Sequence, residues 1–515
     1  MGALFSHLCT QARGAGSSLG AALGVNTLGA AAAPLVFGLW VVPLAGAKFA
    51  LLGVAAGYAA LWSREAWATP PAWAAAAALL ALAVWAPPLV FIDVPEGGRV
   101  LGYTEGRMAA VSVVADAQGV ARLRINNRQQ EGSSASLFAD ARQALLPLLL
   151  HPAPQRALFL GLGTGVTAAA AAADPTLHVD VAELMPEVIA ASAHFRPAPA
   201  TGGQPPQPHV VAADARRFVR AAGPRYDIIV ADNFHPARSG SGALYTVEHF
   251  RAVKERLAEG GLFCQWLPLH QLDLATLRSI VRSFMVAYPR VAAILATNSL
   301  QTPVLGLVAH ADGSAFNLQS LGQRLLHNAL PQDLADYGLA DDFALLGSFI
   351  AGPVALRRFA ADAPLNTDDH TVVAYTAPRI TYAPDSQPGD RLLAMLNELG
   401  ELGASHVEWI DADANWRGQL AAYWAARNRF LVAGRGVQPA ADVQAMLAQV
   451  RAPLLAVLHT SADFRPAYDP LLRMAVALGR EDATAARALL NELRAVQPAR
   501  PEAALALREL ALAGP

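Results

Sequence analysis

Between Arg156 and Pro268 short apolar runs alternate with longer segments rich in alanine and charge, and glycine or an acid stands at most of the junctions. Strands that are each followed by a helix cannot return as tight hairpins. They line up in parallel, with the helices covering both faces of the sheet. "RALFLGLG" reads as the first strand and "VTAAAAAA" as the start of a helix; "LHVDVAE" and "MPEVIAASAHF" repeat the pair. "HVVAADARRFVRAA" supplies a third strand and helix, and "YDIIVAD" a fourth strand. "LYTVEHFRAVKERLAEGGLFCQWLPL" adds a helix, a Gly-Gly stop and another strand. The expected fold class is α/β, a doubly wound Rossmann-like sheet. In such sheets ligands collect beyond the carboxyl ends of the strands, which is where residues 161–165, Glu183, Asp214 and Asp232 fall.

The flanking segments have a different character. "LGAALGVNTLGAAAAPLVFGLWVVPLAG" and "PPAWAAAAALLALAVWAPPLVFI" carry no charge, and this is where the 54% hydrophobic and 16% charged composition concentrates its apolar excess. Their length suits a hydrocarbon core of about 30 Å, so two or three membrane helices are expected, at 20–43, 46–63 and 71–92. The other reading of these stretches is alanine-rich helices buried in a soluble core. At about residue 93 the pattern turns to period two: "AAVSVVAD" and "VARLRIN" around "AQG" predict a small hairpin. "LFADARQALLPLLL" (137–150) predicts a helix leading into the sheet. After about residue 386 amphipathic alanine- and leucine-rich helices follow one another, as in a small helical-repeat module. The expected domains are thus 1–92 in the membrane, 93–136 as a hairpin unit, 137–385 as the sheet and 386–515 as the helical module. The C-terminal helices are expected either to stabilise the chain or to bind a partner, a protein or a second copy.

Several function classes are disfavoured at this point. A formal net charge of -2 gives no positive field for nucleic acid. Two distant cysteines, Cys9 and Cys264, make neither a disulfide framework nor the usual thiolate zinc site. Gly161, Gly163 and Gly165 allow a tight strand-to-helix turn and close approach of a ligand to backbone. No GK[ST] follows them to cradle phosphates, and no second mononucleotide-binding half appears downstream. Glu183 closes the second strand, where a carboxylate can accept from two ribose hydroxyls. Asp214 closes the third, where it can accept from an adenine amino group. Together they favour a compact nucleoside-bearing ligand. Asp232 opens "DNFHPARSGSGALYT" beyond the fourth strand and can hold an incoming amine or accept its proton. His235 lies three residues on, and the stretch from Ser239 to Gly242 has the composition of a mobile lid.

These motifs, "LGLGTG", "VAELMPEV", "ADARRF" and "YDIIVADNFHPARSGSGALYTVEHF", resemble those of the spermidine synthase (polyamine aminopropyltransferase) family, from about Glu105 to Phe284. "LNTDDHTVVAYTAPR" resembles the family's closing catalytic segment. "NTLGAAAAPLVFGLWVVPLAG" resembles the last membrane helices of its membrane-fused bacterial members. The resemblance implies a methyltransferase-type sheet and decarboxylated S-adenosylmethionine as co-substrate, with the glycines and Thr164 at its turn, Glu183 on its ribose and Asp214 on its adenine. It implies Asp232 as the catalytic aspartate. It also implies Gln129 or Gln130, His235 and Tyr245 on the side of a polyamine such as putrescine, methylthioadenosine as the leaving product, and no metal. Three departures from the family pattern remove acids. Thr164 stands where GGGDG has aspartate, Met185 where the second strand ends in aspartate, and His235 where D-[ST]-x-D-P has its second aspartate. Two other functions stay open: methyl transfer from S-adenosylmethionine, and nucleoside binding by a membrane protein with degenerate catalysis. The expected location is the cell membrane, with several spans and the catalytic domain on the cytoplasmic face.

Overall fold

The structure is a computed structural model and describes residues 2–196, 206–232, 234–326, 333–383, 386–400, 402, 410–411 and 413–512. The chain divides into two compact units. One comprises Met1–Ala135 with Met185–Phe195, the other Ser136–Leu184 with Arg196–Pro515.

In the first unit a helical run extends over Leu19–Ala60, apolar apart from a few residues such as Lys48 and with few of its side chains covered. It is not one straight rod. Residues 37–41 form a π-helical turn, and Gly46 leaves helical geometry altogether at φ 81° and ψ 166°. Only glycine adopts that conformation without strain, so the break falls between the two segments read from the sequence. The third expected span is corrected: the helix Pro70–Trp85 has 16 residues and stops before residue 92. Pro87 and Pro88 force the preceding Ala86 into an extended conformation (ψ 140°), and the helix cannot continue through them. By length and composition one helix among the described residues, Leu19–Ala60, qualifies as a membrane span, where two or three were expected. The Lys48 ammonium donates to the carbonyls of Ala83 (2.9 Å) and Ala86, capping the last turn of Pro70–Trp85.

The period-two region forms a four-stranded antiparallel sheet: β1 (Arg99–Glu105), β2 (Ala110–Ala115), β3 (Ala121–Ile125) and β4 (Gln129–Ser133), in that order. The expected hairpin is its centre, pairing Val111 with Ile125 through Ala115 with Ala121. Helix Pro186–Ala191 belongs to the same unit. Gly106 lies against Glu187 so closely that a Cβ there would sit 2.6 Å from its carboxyl carbon.

The second unit holds the α/β sheet. Its strands are β5 (Arg156–Leu160), β6 (His178–Glu183), β7 (His209–Ala212), β8 (Tyr226–Ala231), β9 (Leu257–Pro268), β10 (Ala292–Leu295) and β11 (Val304–His310). A two-stranded parallel pair, β12 (Phe316–Asn317) with β14 (Ile410–Asp411), lies apart from it. β13 (Phe349–Ala351) completes the large sheet, whose order is β13-β10-β11-β9-β8-β5-β6-β7. The five strands β9-β8-β5-β6-β7 run parallel, as the alternation predicts. β11, β10 and β13 extend the sheet antiparallel on one side, an arm the alternating pattern does not announce. Chain order reverses between β5 and β8, which makes the gap beyond their carboxyl ends the switch point of the sheet.

The core follows from burial on both faces. Leu158, Ile229, Phe263 and Val281 are fully covered, and Phe263 stacks on Phe284 with ring centroids 5.4 Å apart. Helix Pro388–Leu399 contributes Leu392, Met395, Leu396 and Leu399 to this same core. The helices Ala414–Gly434, Val443–Thr460, Arg465–Leu478, Ala483–Val496 and Glu502–Leu512 pack in succession around a second core that includes Phe464, Tyr468, Leu471 and Leu490. They are tied to the sheet by polar groups as well. Trp424 Nε1 donates to Leu346 O (3.0 Å), and the buried Arg427 guanidinium donates to the carbonyls of Gly347 (2.9 Å) and Phe349.

Candidate functional site

The turn after β5 is built on glycine conformations. Gly161, Gly163 and Gly165 have φ of 95°, 53° and 81°, a region costly for residues with a Cβ. Gly161 also lacks room: a Cβ would lie 3.2 Å from the Phe234 ring and 3.3 Å from Asp232 Cβ. The turn closes through Gly165 N–H to Leu162 O (2.8 Å), and helix Val166–Ala172 starts from it. Thr164 is buried within it.

Glu183 ends β6 beside this turn. Its side chain is 8% exposed, and Oε2 accepts from the backbone N–H of Leu162 at 3.0 Å. The carboxylate is therefore oriented toward the glycine turn by the turn's own backbone. Asp214 follows β7, is exposed, and caps helix Ala215–Arg220 by accepting from Arg217 N–H at 3.0 Å. Asp232 follows β8. Its N–H donates to Leu160 O (3.0 Å), which registers it on the end of β5, and its side chain is half-buried. The sheet thus brings the glycine turn, Glu183 and Asp232 to neighbouring strand ends, with Asp214 one strand further out.

The residues after Asp232 are packed. Asn233 lies outside the described residues. His235 is 7% exposed, and burial, then the nearby His270 and Arg238, lower its imidazole to about 4. It is a neutral ring at physiological pH, 6.2 Å between centroids from Tyr382. His270 is likewise lowered to about 4, by burial and then by Arg391. Tyr245 is fully buried, and its hydroxyl donates to Phe234 O at 2.7 Å; it braces the loop that carries Phe234. Ser241 and Gly242 are buried too. Gly242 O accepts from Asn366 Nδ2 at 3.1 Å, and a Cβ on Gly242 would meet Ala374 at 3.1 Å. The stretch with lid-like composition is thus held down by the segment "LNTDDH". Gln130 is exposed on β4 of the first unit; the side chain of Gln129 lies outside the described residues.

Asp140 was not among the sequence candidates. It sits in the first turn of helix Leu137–Leu150, accepting from Ser136 Oγ at 2.9 Å. Its carboxyl is pushed up to about 7, chiefly by burial, with the Ser136 hydroxyl opposing and the charge of Asp232 adding to the rise. In the sequence it reads as an ordinary first-turn acid, and nothing local marks it. Among the described residues no group of three or more His, Cys, Asp or Glu is placed to hold a metal ion.

Residues 143–297 match the spermine/spermidine synthase domain. The chain is 29% identical over 147 residues to the spermidine synthase of Dictyostelium discoideum, covering 28% of this chain and 51% of that protein. It is 32% identical over 119 residues to the polyamine aminopropyltransferase of Desulforudis audaxviator, covering 23% and 43%. The chain spans about half the length of these curated relatives. Among solved structures, the spermidine synthase from Thermotoga maritima is similar with a TM-score of 0.41 at 17% identity, over 51% of this chain and 87% of that one. Over this part of its length the chain is thus similar to spermidine synthases and polyamine aminopropyltransferases at low identity.

Proposed function

We propose that this chain transfers an aminopropyl group from decarboxylated S-adenosylmethionine to an amine such as putrescine, releasing methylthioadenosine. What carries the reading is the buried Glu183 carboxylate, fixed by Leu162 N–H beside the glycine turn, with Asp232 at the neighbouring strand end across the switch point. Glu183 receives the ribose hydroxyls; Asp214, whose other oxygen is not needed for its capping bond, receives the adenine edge. Asp232 orients the acceptor nitrogen toward the methylene next to sulfonium. The C–N bond forms as the C–S bond breaks, the electron pair stays on sulfur, and the surplus ammonium proton passes through Asp232 to solvent. Sulfonium is already a good leaving group, so orientation supplies much of the acceleration. On this reading Tyr245 acts from behind by bracing Phe234, and His235 contacts the acceptor.

Methyl transfer from S-adenosylmethionine is the second reading, favoured by Thr164 and the neutral His235 where family members carry acids for an amine. Product mass spectrometry with both sulfonium compounds and an amine panel separates the two. Methylthioadenosine with spermidine is expected; S-adenosylhomocysteine alone, formed with another acceptor, would reject the first reading. Asp232→Asn is expected to lower turnover roughly 10²-fold or more while methylthioadenosine still binds. Unchanged turnover would remove Asp232 from the mechanism.

The N-terminal region belongs to this proposal as a lipid anchor. Leu28, Leu35 and Leu44 of Leu19–Ala60 are exposed, as are Leu80 and Trp85 of Pro70–Trp85. Contiguous apolar surface of that kind is costly in water. We place it in the cell membrane with the catalytic unit on the cytoplasmic, nucleoside-supplied face. Retention in the membrane fraction after alkaline carbonate washing is expected, and release by carbonate would refute an integral anchor. A protein partner or second copy at the C-terminal helices remains part of the proposal, read out by the mass of the detergent-purified particle.

A further inference from the structure

Where the helices Ala414–Gly434, Val443–Thr460 and Arg465–Leu478 meet, two depressions of ≈ 440 Å³ each adjoin and share Ala433 and Pro453. Together they form one trough. Along Val443–Thr460 its lining runs from Met446 to Val457, about 17 Å at 1.5 Å per residue, which is the length of three turns of a facing helix. The floor around Phe430 is apolar, and Val432 stays 62% exposed at the edge. Alanine at 433 keeps the wall low, so a further helix axis can come close. Met446 and Met474 can adjust to the side chains it brings.

The charged residues lining the trough are Arg429 in one depression and Arg473 in the other, both exposed. Arg429 Nη1 donates to the neutral Thr460 hydroxyl at 2.6 Å. Arg473 makes no ion pair among the described residues; Asp469, one turn earlier, lies 3.6 Å from Arg465 instead. Arg435 and Arg451, which do not line the trough, are engaged with Asp390 and Glu492. Over residues 414–478 seven arginines stand against three aspartates, although the whole chain carries a formal charge of -2. An apolar floor with an uncompensated cation in each half asks for an apolar stripe flanked by acids. The last helix of a second copy does not supply it: its exposed Leu505 and Leu512 come with one cation, Arg508, for the one acid Glu509 between them.

We propose that this trough receives an acidic amphipathic helix of another protein, with its apolar stripe on the floor and its carboxylates on Arg429 and Arg473. The inference rests on the partner reading of the C-terminal helices and is independent of the transfer chemistry at the strand ends.

The test is fluorescence anisotropy on the whole chain in lipid nanodiscs. The probe is a labelled helical peptide of about 15 residues, three to four turns, with leucines along one face and glutamates beside them. A second peptide carries lysine in place of each glutamate. The glutamate peptide is expected to bind about tenfold or more tighter than the lysine peptide at low salt, with the difference shrinking as ionic strength rises. The double variant Arg429→Glu, Arg473→Glu should invert this preference at an unchanged thermal midpoint, a reversal that lost folding cannot produce. Ala433→Trp, which fills the trough, should weaken both peptides. Equal affinity for the two peptides, or no binding of either, overturns the proposal. A glutamate preference that survives the charge reversal and Ala433→Trp moves the partner to another face of the helices, and so overturns the trough while leaving the partner reading standing. Concentration-dependent self-association abolished by the double variant would make a second copy the occupant and likewise overturn it.

Discussion

Glu183 and Asp214 have the same expected partner, one nucleoside, yet the fold treats them differently. Glu183 is buried and its orientation is set by Leu162 N–H, whereas Asp214 is exposed and already serves as a helix cap. A carboxylate that accepts hydroxyl donors in a covered place contributes about 1.5–3 kcal/mol per charged hydrogen bond. Glu183→Gln is therefore expected to weaken methylthioadenosine binding about 10- to 100-fold by calorimetry, and Asp214→Asn, which keeps an oxygen for the cap, much less. Equal losses for the two would show that burial does not rank them. Both acids were legible in the sequence because each ends an apolar run of strand length, and strand ends are local. Asp140 was not, since a helix-first-turn acid looks the same whether it faces water or is covered.

At the scale of elements, the segment "LNTDDH" resembles a family motif in the sequence, and the structure gives it a mechanical task. Asn366 is completely buried. Its Nδ2 donates to Gly242 O, its Oδ1 accepts from Val373 N–H (3.2 Å), and its own N–H donates to Ser283 Oγ (2.8 Å). Asp368 adds an ion pair with Arg216, and its N–H donates to Glu248 Oε2 (3.0 Å). Asn366→Ala would strand a buried carbonyl and a buried N–H, at about 1–3 kcal/mol each. Denaturant unfolding should register a loss of about 2–4 kcal/mol, and proteolysis in the native state should begin at residues 239–246. Protection of that loop in the variant would contradict the tie. The prolines at 87 and 88 act at the same scale. They were visible in the sequence, but continuous apolar composition up to residue 92 outweighed them, and the helix nevertheless ends where backbone sterics require.

For the whole molecule, burial decides the response to acid. His151, His235 and His270 are lowered to about 4 and His249 to about 3, in each case first by burial. The unfolded chain protonates these rings near 6.5. Their contribution to stability is thus present above pH 6.5 and is lost as pH falls from there toward 4, at up to about 1.4 kcal/mol per pH unit for each ring. Asp140 works in the opposite sense between about 4 and 7, but one carboxyl does not offset four imidazoles. The thermal midpoint should therefore be highest above pH 7 and fall steeply below 6. His249→Leu should flatten the fall, since neither ring nitrogen of His249 has a protein partner among the described residues. A midpoint that is constant from pH 7 to 5 would show these rings to be hydrated or paired.

The sequence by itself determined the order of strands and helices in the parallel half of the sheet, the glycine turn after β5, and the acids at the ends of β6, β7 and β8. Hydrophobic period, turn chemistry and chain stops are all properties of neighbouring residues. Only the tertiary structure decided that β11, β10 and β13 join the sheet with alternating direction and that Lys48 caps the helix Pro70–Trp85. It alone set His235 near His270 and Asn366 on Gly242. These relations join side chains far apart along the chain, and what fixes them is the shared demand to bury apolar surface while leaving no covered polar group without a partner.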